Sequence, residues 1–101
     1  MTDRELLELA AKAAGMEVIH DAADRGLWIH GAEDEWNPLE DDGDAFRLAV
    51  KLNLVVLSDQ TGISTANGMH QRAKELHGSD PYAATRRAIT RAAAEIGRSM
   101  K

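Results

Sequence analysis

Seven carboxylates crowd the segment between Glu33 and Asp44, so metal binding is the first chemistry to consider; they are Glu33, Asp34, Glu35, Glu40, Asp41, Asp42 and Asp44. A calcium hand needs acids at its first, third and fifth positions, glycine at the sixth and glutamate at the twelfth. With Gly43 at the sixth position, Pro38 and Ala49 fall on the first and twelfth, so the pattern fails. A magnesium site at Asp41, Asp42 and Asp44 would usually share its ion with a phosphate, and the sequence contains no glycine-rich phosphate loop.

These acids fit the start of a helix better than a metal site. A side-chain oxygen of Asp41 or Asp42 can accept the free backbone N–H groups of a first helical turn, and Asp44 complements the positive end of the helix dipole. We therefore predict that Asp41, Asp42 and Asp44 form a helix cap, and that the chain uses no metal and no cofactor.

Histidines and hydroxyl side chains are the remaining candidates for catalysis. No two histidines have the helical His-x-x-x-His spacing of a zinc site; they are His20, His30, His70 and His77. Ser58, Ser64 and Thr65 lie in a predicted hairpin, and neither serine sits in the Gly-x-Ser-x-Gly turn of a nucleophilic serine. A pair of carboxylates for hydrolysis needs a cleft, which a chain this short offers little room for. We predict that the protein is not an enzyme.

Two candidate partner contacts remain. Arg87, Arg91 and Arg98 fall on one side of the last predicted helix, where they could contact phosphates; the plainer interpretation is a solvated face with an Arg91–Glu95 ion pair. Trp36 precedes "NPL", and we expect it or Leu39 to pack inward and fix the path of the chain into the helix. If Trp36 were exposed, its loop would be the leading partner contact.

Composition restricts the class of protein. The chain has 101 residues, no cysteine, two Trp, one Tyr and one Phe, so we expect one small aliphatic core without disulfides or zinc thiolates. Its start, "MTDRELLELAAKAAG", lacks the blocks of a signal peptide, and no apolar run approaches the roughly 20 residues of a membrane span. These features predict a soluble cytoplasmic protein.

Charge is distributed unevenly along the sequence. The net charge is −5, but residues 1–50 contain 13 acidic and 4 basic residues (−9), whereas residues 51–101 contain 4 and 8 (+4). An acidic chain argues against binding nucleic acid, although it does not exclude a local basic face.

Three helices are signalled by caps and apolar spacing. Thr2 and Glu5 form a capping box for the first, which Gly15 ends, and Asp80 with Pro81 starts the last, which continues to about Arg98. The second, residues 44–52, has a core-facing stripe that two further apolar residues widen; the stripe is Ala45, Leu48, Ala49 and Leu52, and the additions are Phe46 and Val50. The stripe of the last helix is Tyr82, Thr85, Ile89, Ala92, Ala93, Ile96 and Met100.

Short β-branched or apolar runs predict strands at residues 16–20, 27–30, 54–57 and 63–66, with a turn at residues 24–26. Residues 68–78 fit either a short helix or a charged edge strand, and we favour the strand. The order α-β-β-α-β-β-(β)-α predicts a single α+β domain over residues 1–101. We expect one antiparallel sheet of four strands, or five, with three helices packed on one face.

Three segments taken together resemble a group of small uncharacterised proteins of bacteriophages and bacterial prophages. They are "MTDRELLELAAKAAG", "WNPLEDDGDAFRLAVKLNL" and "DPYAATRRAITRAAAEIGRSM", which cover both ends and the centre of the chain. The resemblance implies a phage origin and a host bacterial cytoplasm, and it implies no particular chemistry.

The functional prediction is a non-enzymatic accessory factor that binds a protein partner or a second copy of itself, through the Trp36 loop or an exposed sheet face. The alternative is a nucleic-acid-associated protein that uses Arg87, Arg91 and Arg98. No membrane partner is expected.

Overall fold

Three helices and five strands alternate in a computed structural model that describes residues 1–21, 26–29 and 35–100. In chain order they are α1 (Asp3–Ala13), β1 (Val18–Asp21), β2 (Leu27–Ile29), α2 (Asp42–Lys51), β3 (Val55–Ser58), β4 (Ile63–Gly68), β5 (Gln71–Leu76) and α3 (Pro81–Ser99). The predicted order and the α+β class are confirmed, and residues 68–78 contain a strand. The predicted turn at residues 24–26 lies mostly outside the described residues. No helix in the described ranges is long and apolar enough to cross a membrane.

The helices begin and end at their predicted capping residues. The Thr2 hydroxyl accepts from the Glu5 N–H at 3.1 Å, and the Glu5 carboxylate accepts from the Thr2 N–H at 3.1 Å, which lowers the pKa of Glu5. Gly15 follows α1 with a φ of +71°, a left-handed conformation that glycine adopts without strain. At α3, Asp80 accepts from the N–H groups of Tyr82 and Ala83 at 3.0 and 3.1 Å.

The strands form two antiparallel sheets, which corrects the prediction of one continuous sheet. β1 pairs with β2, and β3, β4 and β5 form a separate three-stranded sheet with β4 in the centre. Trp36 contributes to this division, because it occupies the second edge of β2 at Leu27. Its N–H donates to the Leu27 carbonyl at 2.7 Å, and its carbonyl accepts from the Leu27 N–H at 2.9 Å. At Leu27 this edge of β2 is therefore not available to β3.

α3 is the central element, and it is the helix that packs extensively on the β3–β5 sheet. It contacts all three strands of the β3–β5 sheet, and both α1 and α2 pack against it. A helix with neighbours on several sides must be buried around most of its circumference. The buried positions accordingly include Ala88, Ile89, Thr90, Ala92, Ala93, Ala94 and Ile96. Their small side chains allow close helix–helix contact.

The predicted apolar stripes of α2 and α3 each include side chains that are exposed in the structure. Ala45, Leu48, Ala49 and Leu52 are buried as expected, but Phe46 and Val50 are exposed because α2 packs on α3 with one side only. Tyr82 and Met100, at the two ends of the α3 stripe, are also exposed. The prediction that these four side chains join the core is wrong.

The turn between β3 and β4 is held by one carboxylate. Asp59 Oδ1 accepts from the Thr61 hydroxyl at 2.7 Å, the Thr61 N–H at 3.0 Å and the Ile63 N–H at 3.1 Å. These bonds favour the ionised form, and the Thr61 hydroxyl is the strongest cause of the lowered pKa of Asp59.

We expect Asp59→Asn to reduce stability at neutral pH and to have little effect in acid. Because the folded-state pKa lies below the unfolded value, ionised Asp59 stabilises the fold above the unfolded pKa of roughly 4, and this contribution is lost as pH falls through the folded pKa. Urea unfolding of both proteins at a series of pH values measures the difference. Glu5 titrates in both proteins, so its effect cancels. A difference that stayed constant into strong acid would contradict this role for the Asp59 carboxylate.

Candidate protein-binding site

A groove of about 1000 Å³ opens between α2, β3 and the start of α3. Ala45, Ala49 and Ile89 contribute buried apolar surface to it. Its polar members include Ser58, Thr85 and the Asp42–Arg86 ion pair, whose charged atoms are 2.7 Å apart. The groove is therefore an apolar trough with a few hydrogen-bonding groups, which is the usual character of a binding site.

Three of the side chains that the helices contribute to the groove are exposed aromatic or aliphatic groups. Phe46 and Val50 are neighbours one turn apart on α2, and Tyr82 comes from the first turn of α3. Phe46 is 68% exposed and Tyr82 is 71% exposed. Single exposed apolar residues are ordinary, but a contiguous set around one depression is typical of an interaction surface.

The free edge of β3 belongs to the same groove. The Asp59 N–H donates to the Ile63 carbonyl at 2.9 Å, so alternate residues along β3 bond to β4 and the others point away from it. The backbone N–H and C=O groups of Val56 and Ser58 are the ones that point away. Both residues line the groove, and among the described residues no strand pairs with β3 on that side.

The opposite edge of the same sheet is protected. β5 carries Arg72, Lys74 and Glu75, and charged side chains discourage strand addition. The Lys74 carbonyl points away from β4 and is occupied, because it accepts from Arg91 at 3.1 Å. β3, by contrast, reads Val-Val-Leu-Ser, with no charge, no proline and no register shift against β4. Of the two edges, β3 is the one without charged side chains.

The outer face of the sheet continues this apolar surface. Val55 and Leu57 point to the side away from α3, and they are 60% and 59% exposed. The β4–β5 pair Ile63 and Leu76 lies on the same face. An exposed sheet face was one of the predicted partner surfaces, and this one adjoins the free edge.

The three arginines predicted as a phosphate-binding face are each paired with a carboxylate of the same chain. Arg87 pairs with Asp3 at 3.1 Å, Arg91 with Glu75, and Arg98 with Glu95 at 3.6 Å. The predicted Arg91–Glu95 pair is replaced by these contacts, because Glu75 on β5 lies within reach of Arg91. All three arginines do border one shallow depression of about 390 Å³, together with Glu75 and Glu95.

Trp36 is buried, with 6% of its surface exposed, so it packs inward and is not a partner contact. Leu39 is packed against the same core. The loop that contains Trp36 and Leu39 therefore fixes the path of the chain into α2, as expected from its sequence, and the candidate partner surface lies elsewhere.

The acids before α2 support the helix and the loop. Asp41 is the N-cap and accepts from the Asp44 N–H at 2.8 Å, and Asp42 pairs with Arg86 on α3. Asp44 accepts from the Asn37 N–H at 2.9 Å and pairs with Arg47 at 2.8 Å. Glu33 and Asp34 lie outside the described residues, as do His30 and the side chain of His20. Within the described ranges, no three His, Asp or Glu side chains are grouped to hold a metal ion.

The structure brings together three hydroxyl groups and a histidine whose proximity was not predicted from the sequence. His77 Nε2 lies 3.0 Å from Ser64 Oγ and 3.2 Å from Ser58 Oγ, and Ser64 Oγ lies 2.6 Å from Thr85 Oγ1. The available signal was the hairpin register, which places Ser58 opposite Ser64.

The Pro81 carbonyl determines which groups donate and which accept in this cluster. The Pro81 carbonyl can only accept, so Thr85 donates its single hydroxyl proton there at 2.7 Å. Thr85 Oγ1 must then accept from Ser64, and Ser64 in turn must accept from His77 Nε2. In this arrangement a chain of hydrogen bonds runs from His77 through Ser64 and Thr85 to the Pro81 carbonyl.

Comparisons of this chain with protein-family models, with curated proteins and with solved structures find no match. The groove and the free strand edge are therefore the features from which a function can be inferred.

Proposed function

We propose that the protein is a non-enzymatic accessory factor that binds an extended segment of a protein partner beside β3. The observation that carries the proposal is the coincidence of an unprotected strand edge with an apolar groove. An extended segment added to β3 would receive hydrogen bonds from the backbone of Val56 and Ser58. Its side chains on the inner face would meet Phe46, Val50 and Tyr82. Backbone bonds supply affinity and alternate side chains supply specificity in this mode of binding.

The resemblance to small phage and prophage proteins makes a phage or host protein in the bacterial cytoplasm the proposed partner. Nucleic-acid binding through Arg87, Arg91 and Arg98 stays the second candidate, since these arginines border one depression. It is less favoured, because a phosphate would have to compete with the paired carboxylates.

A displayed library of random linear peptides tests the groove even though the partner is unidentified. We expect the protein to select peptides with apolar residues at alternate positions, the period of a strand, and to bind a labelled representative with a dissociation constant of order micromolar. Fluorescence anisotropy measures the affinity. Selection of peptides with a helical 3.6-residue period, or no selection, would count against strand addition.

Matched variants locate the binding surface. Phe46→Ala removes an exposed side chain from the groove, and Met69→Ala removes an exposed side chain from the β4–β5 turn outside it. We expect at least about tenfold weaker peptide binding for Phe46→Ala and no change for Met69→Ala. Equal affinities of the two variants would show that the peptide binds elsewhere.

A further inference from the structure

We propose that the segment that occupies the β3 edge is β3 of a second copy of this chain, so that two three-stranded sheets join into one of six strands. This inference rests on the proposed function, because it names the occupant of the same edge. A symmetric pair of this kind requires a surface that is complementary to itself. Val55–Ser58 is the segment that must have this property.

Hydrogen-bond geometry limits the ways in which two β3 strands can pair. Only residues whose backbone groups point away from β4 can exchange bonds with a second copy, and Val56 and Ser58 are such residues. A twofold axis can therefore pass through Val56, through Ser58, or between them at Leu57. Each choice fixes which side chains lie opposite one another on the outer face.

Side-chain chemistry selects the register centred on Val56. It places Val55 opposite Leu57 of the second copy and Leu57 opposite Val55 of the second copy, so that all four exposed apolar side chains are paired. The register centred on Leu57 would instead place Val55 opposite Asp59. The register centred on Ser58 would place Leu57 opposite Asp59. Both alternatives set an apolar side chain against a carboxylate.

The amount of surface fits a weak but specific dimer. Five exposed apolar side chains adjoin the edge, and they are Phe46, Val50, Val55, Leu57 and Tyr82. From their exposed fractions they offer at most roughly 500 Å² per copy, or about 1,000 Å² in total, which is near the lower limit for a specific interface. The protected β5 edge offers no comparable surface, because Arg91 already occupies the Lys74 carbonyl.

Sedimentation equilibrium between about 1 and 300 μM tests the dimer, since a small interface of this size is expected to dissociate in the micromolar range. We expect the wild type to change from monomer to dimer and Leu57→Lys to remain monomeric. Leu76→Lys is the matched control: it makes the same substitution at an exposed position of the same face, on the protected edge. We expect it to dimerise as the wild type does. Circular dichroism verifies that each variant is folded.

The register has its own test, because the chain has no cysteine and one introduced thiol is unique. In the Val56-centred register, the two Val56 residues face each other across the axis at a Cα separation of about 5.5 Å, within the range of a disulfide. Val56→Cys is expected to form a covalent dimer with oxidised glutathione. Leu57→Cys is expected to resist it, because the two Leu57 residues lie on a diagonal at roughly 7–8 Å.

Oligomeric state and peptide binding, measured together, separate this inference from the proposed function. A monomeric wild type that still binds the selected peptide would overturn the dimer and keep the peptide-binding function. A monomer that binds no peptide would overturn both. A dimer that survives Leu57→Lys would place self-association on another surface. Cross-linking through Leu57→Cys and not through Val56→Cys would overturn the proposed register.

Discussion

Gly97→Ala is expected to destabilise the protein more than a methyl group added at any other glycine of its three helices. A Cβ atom at Gly97 would overlap the carbonyl oxygen of Leu9 and lie 2.9 Å from its carbonyl carbon. The obstacle is the backbone of α1, so relief requires that α1 and α3 move apart. We expect a loss of about 3 kcal/mol or more in the free energy of unfolding, against a total of roughly 5–15 kcal/mol. Urea unfolding followed by circular dichroism measures it.

Gly43→Ala is the control for this prediction. Gly43 is also helical, but the nearest atoms to its added Cβ are the guanidinium nitrogens of Arg47, at 3.1 and 3.2 Å, and an Asp41 carboxylate oxygen at 3.2 Å. The end of an arginine side chain can move aside, and alanine favours the helix by about 0.5–1 kcal/mol over glycine. We expect unchanged or slightly higher stability. Equal losses for the two variants would contradict a specific role for close contact between α1 and α3.

Local signals in the sequence identify the helices because their causes are local. A capping box at Thr2, an aspartate cap at Asp80 and a proline after it each act within one turn, and the structure places each at a helix start. The period of apolar residues likewise predicts which side of α2 faces the core. The period does not show how many neighbouring elements a helix packs against. Phe46 and Val50 have the chemistry of core residues, yet α2 packs on α3 with one side only.

Strand pairing depends on distant residues, and there the sequence was less informative. Trp36 contributes to the division into two sheets, because it occupies the second edge of β2 at Leu27 through backbone bonds. Backbone bonds carry no side-chain signature, so a sequence pattern cannot show them. The candidate site was missed for the same reason: an apolar run such as "LVVL" reads as a buried strand, and only the topology shows that β3 is an edge.

Trp36→Ala is expected to cost about 3–5 kcal/mol of folding stability, the usual range for removal of a large buried aromatic side chain. Trp36 belongs to the main core cluster together with Leu27 and Leu48, and the surrounding strands and helices cannot easily close the space that it leaves. Thermal unfolding followed by circular dichroism measures the effect. For a chain of this length, such a loss corresponds to a fall in Tm of more than about 10 °C.

Phe46→Ala makes the comparison decisive, because it truncates an aromatic side chain that the sequence pattern placed in the core and the structure places in the groove. Phe46 is exposed, so its removal is expected to change stability by no more than about 0.5 kcal/mol. The same variant is expected to lose binding of the selected peptide. Trp36→Ala should therefore fail through folding, whereas Phe46→Ala should fold and fail to bind. A large loss of stability in Phe46→Ala would mean that the groove is closed in solution, and the proposed site would then be withdrawn.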